Sequence, residues 1–415
     1  MDRVRMSQSL RRSLLAVLVA GLFATVGFAA DDELKEKALK LNELTGNEAM
    51  DNQLRLFVKD KDNTKKLLAV AVVMAKEKEQ PFNYNAAFIL ARTSQLLKEP
   101  KTSEVFYRIA VEKAIAVQSA TKLVQVYDGL IDLFYENNKY DDAIKICQEF
   151  LDLPGNERIQ RLKPFVMERL IQAKAKQGKT EDALKLTQNL IDADEDGWYF
   201  VQLKAWVLRE DGKLEDAAKT YLDVLKRLRK ADIEDEPREK FTERVRYLLS
   251  SVYVDLKKID QAAEQLQILI KKHPDHATYN NDLGYIWADH DMNLDEAEVL
   301  IQKAIDEDRK FRKALTELPA EFNKDNPAYL DSLGWVKFKK KEFGEAKKYL
   351  LQAVEDKDGQ HIEILDHLAD THLALKEVKE AIAVWEQSLK MEATTPREKL
   401  RRTEIEAKLK KYKDN

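Results

Sequence analysis

A spelling with fixed intervals recurs along the chain: Gly334 is followed by Ala346, Leu350 and Ala353, and the same steps connect Ala369, Ala381, Trp385 and Ser388. They also connect Ala205, Ala217, Tyr221 and Val224, and again Ser250, Ala262, Leu266 and Leu269, where Pro274 closes the unit. A small residue can recur opposite larger ones at a constant distance only where two helices approach closely at the same point of every unit. The expected fold class is therefore all-α: a superhelical solenoid of antiparallel helix hairpins, with capping helices at both ends.

Composition agrees with that reading. A chain of 415 residues with 12 Gly and 9 Pro lacks the punctuation of tightly turned β architectures. With 35% charged and 44% hydrophobic residues it suits amphipathic helices wetted on one face, and it is too apolar for a disordered acidic chain. The single cysteine, Cys147, falls at the repeat position of Leu350 and reads as a buried small hydrophobe.

The turns repeat as well. Gln177-Gly178-Lys179-Thr180-Glu181-Asp182-Ala183 returns almost unchanged as Asp211-Gly212-Lys213-Leu214-Glu215-Asp216-Ala217. Glycine ends one helix in a left-handed conformation, and acidic residues then sit in the first turn of the next, where its dipole favours them. Taken with the intervals, this pattern resembles the tetratricopeptide repeat over residues 82–395. The last three units, Asn281-Asp282-Leu283-Gly284-Tyr285, Tyr329-Leu330-Asp331-Ser332-Leu333-Gly334-Trp335 and Asp366-His367-Leu368-Ala369-Asp370, resemble a variety found in exported and envelope-associated bacterial proteins of that class.

The remaining segments organise around the array. Residues 30–81 read as an N-terminal helical cap with apolar clusters at Leu54 to Val58 and Leu67 to Met74, broken by Pro81. A first sub-array spans 82–232 and a second 238–395, joined by the acidic connection from Lys230 to Glu243. One extra residue, Met292 or a neighbour, brings Ala297 into register with Gly284, and a helical insertion at 306–326, containing Pro319, is expected to pack on or over the groove. Residues 396–415 form a basic capping helix: from Arg397 onward there are eight Lys or Arg against four Asp or Glu. Leu400, Ile405, Leu409 and Tyr412 at near-helical spacing would shield the last repeat, the other reading being a basic arm touching phosphate or anionic lipid.

Residues 1–29 read as a signal peptide. Arg3, Arg5, Arg11 and Arg12 precede an apolar run from Leu14 to Phe28, and Gly27 and Ala29 fit small-residue cleavage before Ala30. An uncleaved anchor is the rival, although the run is short for a span. Arg11-Arg12-Ser13-Leu14-Leu15 also resembles the core of a twin-arginine signal. The expected location is the periplasm or cell envelope of a bacterium. Cleavage would remove four Arg and one Asp, taking the formal charge from -4 to -7, so no global nucleic-acid footprint remains.

The resemblance implies binding through the inner side of the first helices. The residues just after the small crossing residue are Trp206, Tyr285, Trp335 and Asp370; those a turn earlier include Gln202, Tyr247, Asn281, Asp331 and Asp366, and Phe338 extends the face. Aromatics alternating with carboxylates suit a peptide or helix, while the bland reading has Tyr285 and Trp335 filling the angle between hairpins. Asp331, Asp366 and Asp370 would repel the acidic tail that some domains of this class clamp with basic residues. The expectation is an exported, non-catalytic scaffold that binds another protein, without cofactor, metal or nucleic acid; peripheral membrane association and self-association stay open.

An enzyme is the alternative. All six His lie between His273 and His372, with carboxylates beside them in Asp289-His290-Asp291 and Asp366-His367. No two stand one helical turn apart with a Glu between them, and no phosphate loop, nucleophile elbow or paired-cysteine motif occurs, so surface or interfacial His is expected. The alternative would place an unrecognised site in this His-bearing C-terminal half.

Overall fold

In the computed structural model, residues 31–413 are described apart from 78–80, 154–156, 195–196 and 316–322. The expected signal at 1–29 lies outside the described residues. Contacts divide the chain into two compact units, 1–190 and 191–415.

In the first unit, α1 (Asp31–Lys40), α2 (Asn47–Lys59) and α3 (Lys61–Met74) precede the hairpins. Of the two expected apolar clusters, the second buries Leu67, Leu68, Ala71 and Met74, whereas Leu56 of the first is 60% exposed. Asn42 ties this segment to the array by accepting from the Asn83 N–H at 2.7 Å and donating to the Pro81 carbonyl at 2.9 Å. Asn83 in turn caps α4 (Tyr84–Leu96) through the Ala86 N–H. Helix α4 pairs with α5 (Pro100–Ala116), and α6 (Ala120–Glu136) with α7 (Tyr140–Leu151). The short α8 (Glu157–Gln160), α9 (Lys163–Lys176) and α10 (Thr180–Ala193) follow. Cys147 is fully buried and its thiol is pushed up to about 12 by that burial, as befits a packing residue.

The second unit stacks five hairpins and one further helix among its described residues. These are α11 (Trp198–Glu210) with α12 (Leu214–Leu228), α13 (Asp235–Asp255) with α14 (Ile259–Lys272), α15 (Ala277–Asp289) with α16 (Leu294–Ala314), α17 (Pro327–Lys339) with α18 (Phe343–Glu355), α19 (Ile362–Ala374) with α20 (Val378–Ser388), and α21 (Pro396–Lys413). The recurring intervals mark where paired helices cross. A Cβ on Gly284 would lie 2.7 Å from the Ala297 carbonyl oxygen, and one on Gly334 would lie 2.6 Å from Leu350 Cγ. Where the crossing residue is Ser250, its hydroxyl donates to the Ala262 carbonyl at 3.0 Å. Ala205, Ala217, Ala262, Ala346, Ala369 and Ala381 are all fully buried, so the interval pattern is a packing constraint.

The hairpin turns share one left-handed residue. Gly178 and Gly212 supply it with φ of 81° and 74°, and elsewhere Lys257, Lys341 and Lys376 adopt it despite their side chains. The turn after α15 uses two such residues, Asp291 and Asn293, and this is where the extra residue is absorbed.

Two expectations change. The division between units falls inside α10 and not at 230–243. Most of that connection is the start of α13, a 21-residue helix whose Phe241 ring lies 4.4 Å from Trp198 and whose Arg238 donates to the carbonyls of Ala231 and Ile233. The segment is thereby packed into the second unit. The insertion at 306–326 begins as a continuation of α16, which runs 21 residues to Ala314, and not as a separate helix. Arg309 and Arg312 both pair with Asp325, holding the return strand of chain against that extension. Residues 316–322, with Pro319, lie outside the described residues.

Candidate functional site

Within the second unit the first helices form an inner layer: α15 touches α17, α17 touches α19, and Tyr285 of α15 reaches past α17 to donate to Glu363 of α19 at 2.7 Å. Polar side chains link each inner helix to the next. Arg209 of α11 donates to Ser251 and pairs with Asp255 of α13, and Tyr247 of α13 donates to Asp282 of α15 at 2.7 Å. Trp335 of α17 donates to Asp289 of α15 at 3.1 Å, and Asp331 of α17 meets His367 Nδ1 of α19 at 2.9 Å. The Trp335 ring stacks on His367 at 4.0 Å and on Phe338 at 4.8 Å.

This arrangement brings together Tyr285, Asp331, Trp335, Phe338, Asp366 and Asp370, all six of them expected at the inner face. Asp331 and Trp335 are buried, at 6% and 7% exposure, and Asp366 is fully buried. Tyr285, Phe338 and Asp370 are half-buried. Asn281 is buried beside Asp282, and its Oδ1 accepts no hydrogen bond among the described residues. Gln202, Trp206 and Tyr247 are half-buried on α11 and α13, nearer the N-terminal end of the unit. A concavity of about 280 Å³ opens on this face, lined by Arg209, Tyr247, Asp255, Asp282, Tyr285, Asp289 and Arg397 among others.

The sequence reading missed the cations that complete the site. Helix α21 lies against α19 and α20, burying Ile405 and Leu409 and setting Tyr412 5.9 Å from the Trp385 ring, while Leu400 is 62% exposed and shields nothing. From α21, Arg397 and Arg401 pair with Glu363, Arg401 also reaches Asp366 at 3.1 Å, and Lys408 bridges Asp366 and Asp370 at 2.8 and 2.7 Å. Asp366 takes a further bond from Trp385 Nε1, so a fully buried carboxylate is satisfied by three donors. The expected groove carboxylates at this end are thus covered by the chain's own last helix. The tail's spacing of Arg397, Arg401 and Lys408, which repeats one helical face, was the available signal.

The electrostatics follow from these pairs. Burial works against the Glu363 charge, but Arg397, with His367, the Tyr285 hydroxyl and Arg401, outweighs it and holds the carboxyl at about 2. Burial pushes the Asp370 carboxyl up, helped by the neighbouring Asp366 and opposed by Lys408. Burial also drives the Tyr285 hydroxyl well up, reinforced by Glu363. His367 is fully buried, which opposes its charge, yet Asp331 and Glu363 raise its value overall. Two of the six His, 367 and 372, are buried and paired with carboxylates, and His367 takes the interfacial placement, between α17 and α19, that was one of the two expected. His367 Nε2 is enclosed and has no hydrogen-bond partner among the described residues.

Among the described residues no group of three His, Cys, Asp or Glu is placed to hold a metal ion, and no helix is long and apolar enough to cross a membrane. Residues 169–233 and 247–310 match the family model of the tetratricopeptide repeat. A TPR repeat-containing protein of Pseudomonas aeruginosa is 34% identical over 95 residues, which are 23% of this chain and 14% of the relative, so the chain spans a small part of that protein's length. Among solved structures, a tetratricopeptide repeat protein from Parabacteroides merdae is similar at 13% identity, covering 72% of this chain and 98% of that one with a TM-score of 0.46. MamA from Desulfovibrio magneticus is similar at 18% identity over 46% of this chain and 92% of that one, with a TM-score of 0.35. Repeated crossing residues, hairpins stacked through their first helices and the matched stretches agree: the chain carries tetratricopeptide repeats.

Proposed function

We propose that the chain is an exported, non-catalytic scaffold of the bacterial cell envelope that holds another protein by a peptide or helix laid on the inner face of the second unit. The observation that carries this reading is the row of half-buried aromatic and acidic side chains along α13 and α15, at Tyr247 and Tyr285 with Asp282 and Asp289, around an open concavity of about 280 Å³ that Arg209 of α11 also lines. Rigid aromatics with flanking carboxylates give a partner both stacking area and charge to read. Export rests on the arginine-rich, apolar start of the sequence.

A photo-crosslinking side chain at Gln202, on the inner face of α11, tests the binding site. It should capture a defined envelope protein, whereas the same probe at the exposed Val299 of α16 should not. Equal capture from both positions, or none from Gln202 in cells expressing the chain, defeats the proposal. Mass spectrometry of the N-terminus tests export: an intact residue 1 in protein confined to the cytoplasm counts against it.

A further inference from the structure

Helix α21 is fastened to the inner layer mainly by charge. Among its described side chains only Ile405 and Leu409 are buried and apolar, yet five ion pairs tie it to Glu363, Asp366 and Asp370. It also carries its own start signal. Glu398 accepts from the N–H groups of Thr394 and Thr395 at 2.7 and 2.8 Å, and the Glu398 N–H donates to the Thr395 hydroxyl at 3.2 Å. That reciprocal capping box satisfies the first turn locally, with His361 at the start of α19 adding one contact to Glu398 at 3.2 Å. Good helix formers, Lys, Arg, Glu, Leu and Ala, make up most of the rest.

The seat fixes what could replace the helix. Asp366 has no exposure, and a buried carboxylate stripped of its cations is strongly destabilising. Any occupant must therefore bring cations to Glu363, Asp366 and Asp370 as α21 leaves. Arg397, Arg401 and Lys408 stand at i, i+4 and i+11, one face of a single helix, and so provide the template for those cations. Resting on the reading that the inner face of the second unit receives a partner, we propose that α21 is a resident stand-in for that partner. The partner presents a basic helix with Lys or Arg at the same spacing, and it binds by displacing α21 from α19.

The probe is a fluorescent synthetic peptide of residues 394–413, offered to the full chain and to the full-length double variant R401E/K408E, in which acidic side chains face acidic side chains and α21 is driven off. The variant should bind the peptide at least about tenfold more tightly than the unmodified chain. Roughly tenfold should be lost in 0.5 M salt, and as much with a peptide carrying Gln at 397, 401 and 408. A variant folded by circular dichroism that binds no better than the unmodified chain overturns the proposal, as does equal binding of the neutral peptide. Should the variant not fold, hydrogen exchange on the unmodified chain decides instead: α21 must exchange ahead of α19, with the gap widening as salt rises, and equal protection overturns it. A natural partner that binds while α21 keeps its protection sinks the displacement and leaves the scaffold reading standing. Absence of any partner sinks that reading alone.

Discussion

Replacing Trp335 with alanine measures whether the aromatic row at the C-terminal end of the inner face belongs to the fold. The ring is 7% exposed, stacked on His367 at 4.0 Å and on Phe338 at 4.8 Å, and its Nε1 donates to Asp289. Burying a large aromatic removes about 150–250 Å² from water, which at about 25 cal/mol per Å² gives roughly 4–6 kcal/mol as an upper bound. Truncations of this kind cost about 3–5 kcal/mol. For a unit of this size that corresponds to a fall in melting temperature of roughly 6–20 °C. Trp335→Phe retains the ring over His367 and loses the bond to Asp289, so it should cost only about 1–2 kcal/mol. Hydrogen exchange of peptides from α15, α17 and α19, read beside the thermal melt, follows the second unit by itself in a chain with more than one compact unit. A Trp335→Ala protein that stays folded and melts within about 3 °C of the parent would refute the packing argument and return Trp335 to the ligand-facing set.

The crossing glycines and a turn residue give two further tests by chemical denaturation. Gly284→Ala should cost about 1–3 kcal/mol because its Cβ meets the Ala297 backbone, whereas Gly344→Ala, with nothing within 4 Å, should be neutral or up to about 1 kcal/mol stabilising. Equal effects would refute the close-approach account. Lys376→Gly, at a residue held at φ 65°, should stabilise by up to about 1 kcal/mol, and a loss would mean the lysine side chain contributes more than its backbone costs. Acid should release α21 first: Glu363 and Glu398 both lie at about 2 against 4.5 ordinarily, so their contribution is present above 4.5 and lost as pH falls toward 2. Exchange protection of α21 should fall within that window ahead of α19, and in Glu363→Gln the dependence should shrink. His367, whose value is raised, contributes below its ordinary 6.5 and loses that contribution as pH rises through its folded value, so the melting temperature of the second unit should fall above pH 6.5 and His367→Phe should flatten the slope.

The fold was legible because its defining contacts are short-range in sequence: Gly334 to Ala346 and Ser250 to Ala262 are both twelve residues apart, and their close approach forbids larger residues. The inner face was legible only as a row of positions. What each residue does there depends on neighbours far along the chain, Glu363 lying 78 residues from Tyr285, His367 36 from Asp331 and Lys408 38 from Asp370. Interval patterns specify how two helices of one hairpin cross, but not which side chains of successive hairpins meet. The tail was read by its apolar residues, and Leu400 fell on the wrong side because the helix docks on a charged stripe, through Arg401 and Lys408 more than through leucine. The two misplaced boundaries share a cause. Phe241 and Arg309 sit in what look like polar connections, yet each anchors a helical extension, of α13 and α16, through one specific contact.

A charged seat for the last helix also answers a problem that every stacked array has at its end. An apolar terminal face becomes an adhesive patch whenever its cover lifts, and such patches drive association. On the inner side of α19, by contrast, the residues under α21 are Glu363, Asp366 and Asp370, which call for cations and not for apolar surface once the helix departs. Apolar sealing is confined to the seam around Trp385, where Ile405, Leu409 and Tyr412 pack. Departure of α21 therefore costs charge pairing on the polar side and uncovers only the small apolar seam around Trp385. That separation of a small apolar seam from a larger ionic seat is what permits a helix of the same charge pattern to exchange with α21, and it would be lost if Asp366 and Asp370 were leucines.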